Sequence, residues 1–244
     1  MSIILNYSPN KNISATYFLI FYLFSLHLLG GNFLINVKID SVGYNRKPNE
    51  FGSISNRLIN CEEKNLEWHS FCDLVGNKGH AFLASIFHSG KRSKENFKSQ
   101  QIFALDFDGG INFNEVSQVA ERYGLPIALA YETFSSVNRN RFRIVFVSDN
   151  PVFDIRVAEI ITEALIQIFE GCDTACRDSS RIFLGGKSVI YEKAVCFSVS
   201  DLLMEFGHFM KEKYEENHSK KQLVKFQKEK QYFTEMFLVL TVFS

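Results

Sequence analysis

The chain has 244 residues, of which 27 are basic and 27 acidic, so its net charge with neutral histidines is zero. A zero balance excludes nucleic-acid binding through overall charge, and any such contact must come from local clusters of basic residues. The length supports one core of roughly 150–200 residues and excludes a replicase that carries its own helicase. Five cysteines without regular spacing argue against a disulfide framework, so we expect a reducing, cytoplasmic setting.

The N-terminal part of the chain is unusually apolar. No charged residue occurs between positions 13 and 37, and this run is long enough to cross a bilayer. Its aromatic content, its polar His27 and Asn32, and the Gly30-Gly31 pair favour buried structure over a membrane span. We therefore interpret residues 1–40 as an apolar N-terminal extension, with a membrane segment as the alternative, and residues 41–74 as a polar lead-in.

A basic run follows shortly before the middle of the chain. It contains four cationic side chains with Phe97 interleaved, and such a patch suits the phosphates of a nucleic-acid strand. A solvated loop is the alternative. The predicted nucleic-acid-binding residues are Lys91, Arg92, Lys94 and Lys98. Several possible zinc ligands also lie in this part of the chain, but their spacing lacks the paired short intervals of a zinc site. These residues are Cys61, His69, Cys72, His80 and His88.

Two carboxylates at the end of an apolar strand form the clearest chemical signal. Residues 102–105 predict a buried strand, and Asp106 and Asp108 follow it at positions i and i+2. Their side chains then leave the same face about 6–7 Å apart along the strand. Carboxylates so placed can share divalent cations, although acidic residues before Gly109-Gly110 are also ordinary in turns.

The segments after this strand predict an α/β (α+β) fold with a mixed sheet flanked by helices. Asn114 is expected to cap a helix over 113–123, strands are predicted at 127–131 and 141–147, and a second helix is predicted over 154–170. Residues 201–244 predict a charged C-terminal helix or linker. Its apolar end, 236–243, suggests that the chain continues into a further domain.

Three arginines are candidates for binding anions. Arg141 and Arg143 face the same way on a strand, where a guanidinium can bind phosphate at two points. Salt bridges at an exposed strand edge are the alternative. Arg181 begins an apolar strand directly after an acidic loop, so we expect it to have an anionic partner, either Asp106, Asp108 or a nucleotide.

These motifs, in this order, resemble the archaeo-eukaryotic primase superfamily. The likeness is strongest to primase-polymerase-like replication domains of plasmids, phages and integrated elements, and it covers about residues 75–200, the predicted catalytic core. The motifs are Asp106-x-Asp108, Tyr131-Glu132-Thr133-Phe134-Ser135-Ser136, Arg141-Phe142-Arg143 and Asp178-Ser179-Ser180-Arg181-Ile182-Phe183.

The resemblance implies a DNA primase/polymerase-like nucleotidyltransferase that acts in the replication of a mobile element by two-metal phosphoryl transfer. It assigns Asp106 and Asp108 as ligands of Mg²⁺ or Mn²⁺, with Asp173 or Asp178 as the third acid and Asp178 grouped with the catalytic residues. Expected partners are a single-stranded DNA template, nucleoside triphosphates, and a helicase or another replication protein. The nucleotide-binding residues would be Ser135, Ser136, Arg141, Arg143 and Arg181.

One departure from the family pattern opens two alternatives. The family often has a histidine after the serine motif, whereas this chain continues from Ser136 to Val137 and Asn138. A catalytically decayed module that only binds single strands is therefore one alternative. The other is a phosphatase of haloacid-dehalogenase type, because the run from Leu105 to Gly110 also resembles its opening motif, in which Asp106 would be a covalent nucleophile.

Overall fold

A computed structural model describes residues 33–88, 91–213 and 215. They form two compact units, one ending at Ser198 and the other beginning at Val199. Nine strands lie in the first unit. They are β1 (Leu34–Ile39), β2 (Lys64–Glu67), β3 (Phe82–Leu83), β4 (Ser85–Phe87), β5 (Phe97–Phe107), β6 (Leu129–Thr133), β7 (Phe142–Val152), β8 (Ile182–Phe183) and β9 (Gly186–Glu192).

Four helices accompany these strands, so the α+β class predicted from the sequence is confirmed. They are α1 (Phe51–Asn60), α2 (Trp68–Cys72, extended by a π turn over Asp73–Asn77), α3 (Phe113–Arg122) and α4 (Ile155–Ile168). The second unit contains a helix over 199–213, which includes the buried Leu202.

The larger sheet has the strand order β4-β5-β7-β6-β9, and its paired strands run antiparallel. An isolated bridge between Ser148 and Phe197 is parallel. Strand β5 extends beyond its apolar run to include Gln100, which is buried with its polar atoms satisfied: Ser85 donates to it at 2.8 Å, and its own amide donates to the carbonyl oxygen of Ile102 at 3.0 Å. Helix α4 packs against β5 and β7 through the buried face that includes Ile161 and Leu165.

The smaller sheet has the order β2-β1-β3-β8. Its strand β1 carries the fully buried Ile35 and Val37, so the end of the uncharged N-terminal run lies in the core of the first unit. Residues 1–32, on which most of the proposed membrane segment falls, lie outside the described residues. Within the described part of the chain, no helix has both the length and the apolar character needed to cross a bilayer.

The two predicted helix starts differ in outcome. Asp154, where the second helix was predicted to begin, is the capping residue of α4, because its side chain accepts a hydrogen bond from the backbone N–H of Arg156. For α3 the prediction of Asn114 is wrong: the capping residue is Asn112, which has an extended backbone. Asn112 accepts from the N–H of Glu115 at 3.0 Å, and Glu115 accepts from the N–H of Asn112 at 2.8 Å. This reciprocal capping box satisfies two backbone donors, which Asn114 inside the first turn could not do.

Candidate active site

A row of three polar side chains crosses the middle of the larger sheet. Asp106 on β5 lies directly opposite Arg143 on β7, and Arg143 lies opposite Tyr131 on β6. Residues paired in this way project from the same face of a sheet. Arg143 Nε donates to Asp106 Oδ1, and Arg143 Nη1 donates to the hydroxyl of Tyr131 at 2.6 Å and to the carbonyl oxygen of Leu184. The strand register therefore places a charged pair inside the core.

Burial and pairing shift the pKa values within this row. Arg143 and Asp106 are each only 6% exposed. Burial alone would lower the pKa of Arg143, but the adjacent Asp106 carboxylate outweighs it and raises that pKa further. Burial also raises the pKa of Tyr131, against the opposing effect of Arg143. Arg143 consequently stays charged; its Nε and Nη1 donors hold Asp106, Tyr131 and the Leu184 carbonyl, and the residue also lines the cleft beside Asp106.

Arg181 joins Asp106 to a second carboxylate. Its Nη2 atom donates to Asp106 Oδ2 at 2.7 Å and lies 2.9 Å from Asp173 Oδ2. The backbone N–H of Asp173 also donates to the carbonyl oxygen of Asp106 at 2.8 Å. Burial would raise the pKa of Asp173, but hydrogen bonds from the Ala175 N–H and from Arg181 keep that pKa below its ordinary value. The Asp173 carboxylate is therefore suited to being charged.

Asp106, Asp173 and Cys176 form a group that could hold a metal ion. Each offers a ligand atom, and these atoms lie within 4.8 Å of one another. The Cys176 sulfur accepts a hydrogen bond from the Asp106 N–H at 3.3 Å, and burial raises the pKa of its thiol to about 11. A neutral thiol is a poor ligand for Mg²⁺ or Mn²⁺, whereas two carboxylates suit these cations. The carboxylates fit the expected ion, and Arg181 lies between them.

Above Asp106 lies a cleft of about 280 Å³ whose lining combines both charge signs and does not include Asp173. Asp108 is at its rim with a side chain 70% exposed, and Arg141 Nη1 lies 4.0 Å from Asp108 Oδ1. Lys47, from the loop before α1, also lines the cleft. Its lining residues include Lys47, Asp106, Asp108, Thr133, Ser135, Arg141, Arg143 and Arg181.

The two adjacent serines of the sequence motif have different environments. Ser135 is exposed and lines the cleft. Ser136 is buried, and its hydroxyl accepts from the Arg141 N–H at 3.2 Å within the turn between β6 and β7. That turn contains Asn138 and Arg139 with positive φ angles. Ser135 is thus placed to contact a ligand, whereas Ser136 stabilises the turn.

Asp178 lies away from the carboxylate pair. It is exposed and accepts from the N–H and the hydroxyl of Ser180, both at 2.8 Å. It lines a separate groove together with Lys94, Glu159 and Arg177, and it does not line the cleft above Asp106. Of the two candidates for the third acid, Asp173 is the one that the fold brings to Asp106.

Most of the predicted basic patch is engaged within the protein. Arg92 donates to the carbonyl oxygen of Ser180 and to the hydroxyl of Ser55, and its burial lowers its pKa. Lys94 pairs with Glu159, and Lys98 pairs with Glu63 at 2.7 Å. Lys91 is exposed. Three of the four cations thus bind other parts of the chain.

Two site residues escaped sequence reasoning. Tyr131 was visible only as part of a motif, and its bond to Arg143 depends on a strand register that spacing alone does not give. Lys47 lies in a segment interpreted as a polar lead-in, and nothing in the local sequence connects it with Asp106. Its one distinctive feature in the sequence is the adjacent Arg46, with which it forms a short basic pair.

Comparisons with known proteins give a single distant likeness to report. A scan against protein-family models and a search of curated proteins found no match. Among solved structures, the chain is similar to the archaeo-eukaryotic primase (AEP) domain of the primase-polymerase of cyanophage S-2L. The identity is 14%, the TM-score is 0.43, and the alignment covers 70% of this chain and 89% of that chain. A likeness of this size assigns no residue role here.

Proposed function

We propose that this protein is a divalent-metal-dependent nucleotidyltransferase of primase-polymerase type that extends a strand on a single-stranded DNA template. The observation that supports it is the convergence of Asp173 on Asp106, which lines a cleft whose rim carries Asp108 and Arg141. Phosphoryl transfer needs carboxylates for the cation and basic groups for the phosphates, and both kinds of group line this cleft.

Each side chain has a distinct role in this proposal. Asp106 and Asp173 would hold Mg²⁺ or Mn²⁺, with Asp108 at the rim as a further oxygen donor. When bound, the cation supplies charge neutralisation of the triphosphate and activation of the attacking hydroxyl. Arg141, whose side chain is 41% exposed, would bind phosphate oxygens, and Ser135 would donate a hydrogen bond to them. Arg143 would position Asp106 through its Nε atom, and as a lining residue of the cleft it remains a candidate contact for the nucleotide.

The phosphatase alternative needs a carboxylate that can attack phosphorus. Both oxygens of Asp106 instead accept hydrogen bonds from arginines, and the residue is almost fully buried. Thr133, the residue that matched the second phosphatase motif, donates its hydroxyl to the carbonyl oxygen of Arg141 at 3.4 Å. With these contacts, neither oxygen of Asp106 is free to attack phosphorus. A role in mobile-element replication alongside a helicase rests on the motif resemblance alone.

The test compares the two candidate third acids. Wild type, Asp173→Asn and Asp178→Asn are incubated with a primed single-stranded template, labelled nucleoside triphosphates and Mg²⁺ or Mn²⁺. We expect extension by wild type and Asp178→Asn and a loss of at least about 100-fold in Asp173→Asn, because only Asp173 can share the cation with Asp106.

A parallel reaction offers a small phosphomonoester to the same three proteins. Hydrolysis of this ester with phosphate trapped on Asp106, and no template-dependent product under either metal, would support the phosphatase instead. Retention of single strands without either activity would support the decayed module. Equal extension by Asp173→Asn and wild type would overturn the assignment of the third acid.

A further inference from the structure

A second, larger cleft adjoins the acidic site. It measures about 930 Å³ and is formed by the loop before α1, the end of the π turn and the start of β9. Lys47 lines both this cleft and the one above Asp106. The second cleft is polar, with four basic residues and one acidic residue, Glu50, among its lining. We call it the basic cleft; its cationic residues are Arg46, Lys47, Lys78 and Lys187.

The loop that carries Arg46 and Lys47 is held by a buried ion pair. Asp40 is 1% exposed and accepts from Arg57 Nε and Nη2 at 2.6 and 2.7 Å. Arg57 Nη2 also donates to the hydroxyl of Tyr44 at 2.6 Å. The two-point contact with Asp40 and the bond to Tyr44 together attach both ends of the turn from Asp40 to Tyr44 to Arg57 on helix α1. Arg46 and Lys47, which follow this turn, are therefore attached to a fixed segment of backbone.

Close backbone contacts hold the same loop from its other side. A Cβ atom on Gly79 would lie 1.9 Å from the carbonyl oxygen of Tyr44, and one on Gly185 would lie 2.3 Å from the backbone of Gly79. The three segments can approach this closely only because both positions are glycine. The walls of the basic cleft are thus packed against each other, and the cleft is present without a ligand.

The charges in the basic cleft differ in how far they are neutralised. Lys78 makes an exposed ion pair with Asp73 at 2.7 Å, and such pairs contribute little. Lys187 donates to the carbonyl oxygen of Ser136 at 2.7 Å and forms an ion pair with Glu132 at 3.5 Å. Arg46 and Lys47 are both exposed, and within residues 33–88 and 91–213 no ion pair involves either of them. Two full positive charges consequently face solvent at the border of the acidic site.

We propose that the basic cleft binds the phosphodiester backbone of the single strand and directs it to the cleft above Asp106. Repeated phosphates suit cations that come from three separate segments, and Arg46 and Lys47 would make the principal contacts. The predicted patch at 91–98 is a poorer candidate because three of its four cations pair within the protein. The direction toward Asp106 rests on the proposed function, whereas binding of the strand can be tested without it.

The test is metal-free fluorescence anisotropy with a labelled oligothymidylate, in chelator and over a series of salt concentrations. In the double variant Arg46→Gln, Lys47→Gln we expect affinity at low salt to fall by about 10-fold or more, and the slope of log K against log salt to decrease by about 0.7 for each lost contact. The matched control is Lys64→Gln, Lys193→Gln, which removes two exposed charges that line neither cleft.

Three results would overturn the proposal. The first is a double variant that binds the strand as wild type does, and the second is an equal loss in the control. The third is a double variant that loses binding of inorganic tripolyphosphate but keeps the oligonucleotide, because the cleft would then bind a nucleotide's phosphates and not a strand. Since chelator removes the cation, weakened strand binding by the double variant together with no extension by the wild type would contradict the proposed function and leave this inference standing.

Discussion

The backbone N–H of Asp173 donates to the carbonyl oxygen of Asp106, so a main-chain hydrogen bond holds together two residues that are far apart in sequence. Arg181 closes the same contact by bridging their side chains. In the described structure Asp106 is therefore both a candidate cation ligand and a structural residue. Substitutions at Asp106 should change stability as well as chemistry, and the two effects must be measured separately.

The stability of Asp106 variants can be predicted from its arginine partners. Two neighbouring carboxylates that repel each other would make Asp106→Ala more stable without metal, which the Asp106-x-Asp108 pattern suggests by itself. The structure predicts the opposite, because Asp106→Asn would leave the buried Arg143 without its counter-charge. We expect the free energy of unfolding to fall by roughly 3–5 kcal/mol in urea denaturation.

Asp108→Asn is the control for this measurement. The Asp108 side chain is 70% exposed and lies 4.0 Å from the nearest arginine nitrogen, so its replacement should change stability by less than about 0.5 kcal/mol. Equal destabilisation by both variants would show that the pair between Asp106 and Arg143 does not carry the stability assigned to it.

An exposed histidine offers a test of how α2 is connected to β9. His69 Nδ1 lies 2.7 Å from Glu192 Oε1, and this contact raises the pKa of His69 above 6.5. A raised folded-state pKa contributes stability that is complete below the unfolded value and is lost as pH rises through the folded value. Glu192→Gln should therefore destabilise the protein at about pH 5 and much less at about pH 9.

NMR titration of the His69 ring gives the direct measurement. In wild type its pKa should lie above that of an ordinary histidine, and in Glu192→Gln it should return to the ordinary range. A His69 pKa unaffected by the substitution would contradict the contact.

The glycine contacts behind the basic cleft give a stability prediction with an internal control. Gly79 has φ of +72° and Gly124 has φ of +61°, so alanine is strained at both. Around Gly124 the space is open, whereas a Cβ on Gly79 would collide with the carbonyl oxygen of Tyr44. We expect Gly124→Ala to cost about 1 kcal/mol and Gly79→Ala about 1–3 kcal/mol more, measured by urea denaturation. Similar losses would show that the loop can shift freely.

Local sequence patterns predicted the features of the fold that depend on neighbouring residues alone. The apolar strand before Asp106 and the helix that follows Asp154 were predicted from hydrophobic periodicity, and both are present. Alternation along a strand predicted that Arg141 and Arg143 face the same way, and both line one cleft. Alternation did not predict that Arg143 is buried while Arg141 is partly exposed, because this difference depends on the register that sets Arg143 opposite Asp106. Register is decided by tertiary packing and not by spacing.

The same reasoning explains why the sequence alone did not decide which residue is the third acid. Asp173 and Asp178 lie in one polar loop, and both precede turns in which aspartate is common. The choice between them depends on the short 3₁₀ turn over Thr174–Arg177, which leaves the backbone of Asp173 hydrogen-bonded to Asp106 and places Asp178 in a separate groove. Sequence patterns do not fix the position of such a short turn to the residue.

Arg181 should compete with the divalent cation for the two carboxylates. A single nitrogen, Nη2, contacts Asp106 at 2.7 Å and Asp173 at 2.9 Å, so it lies where a shared cation would bind. Metal binding must then displace a guanidinium and overcome its positive charge. In Arg181→Gln we expect Mn²⁺ affinity, measured by calorimetry and by the spin-resonance signal of free Mn²⁺, to rise by about 10-fold, which corresponds to about 1.4 kcal/mol.

Arg177→Gln provides the matched control, because Arg177 pairs with Glu163 at 2.7 Å and does not line the cleft above Asp106. Its Mn²⁺ affinity should equal that of wild type. Once displaced, Arg181 is free to bind phosphate, so Arg181→Gln should extend primers more slowly even though it binds the metal more tightly. Weaker Mn²⁺ binding in Arg181→Gln would mean that the arginine organises the two carboxylates for the cation instead of competing with it.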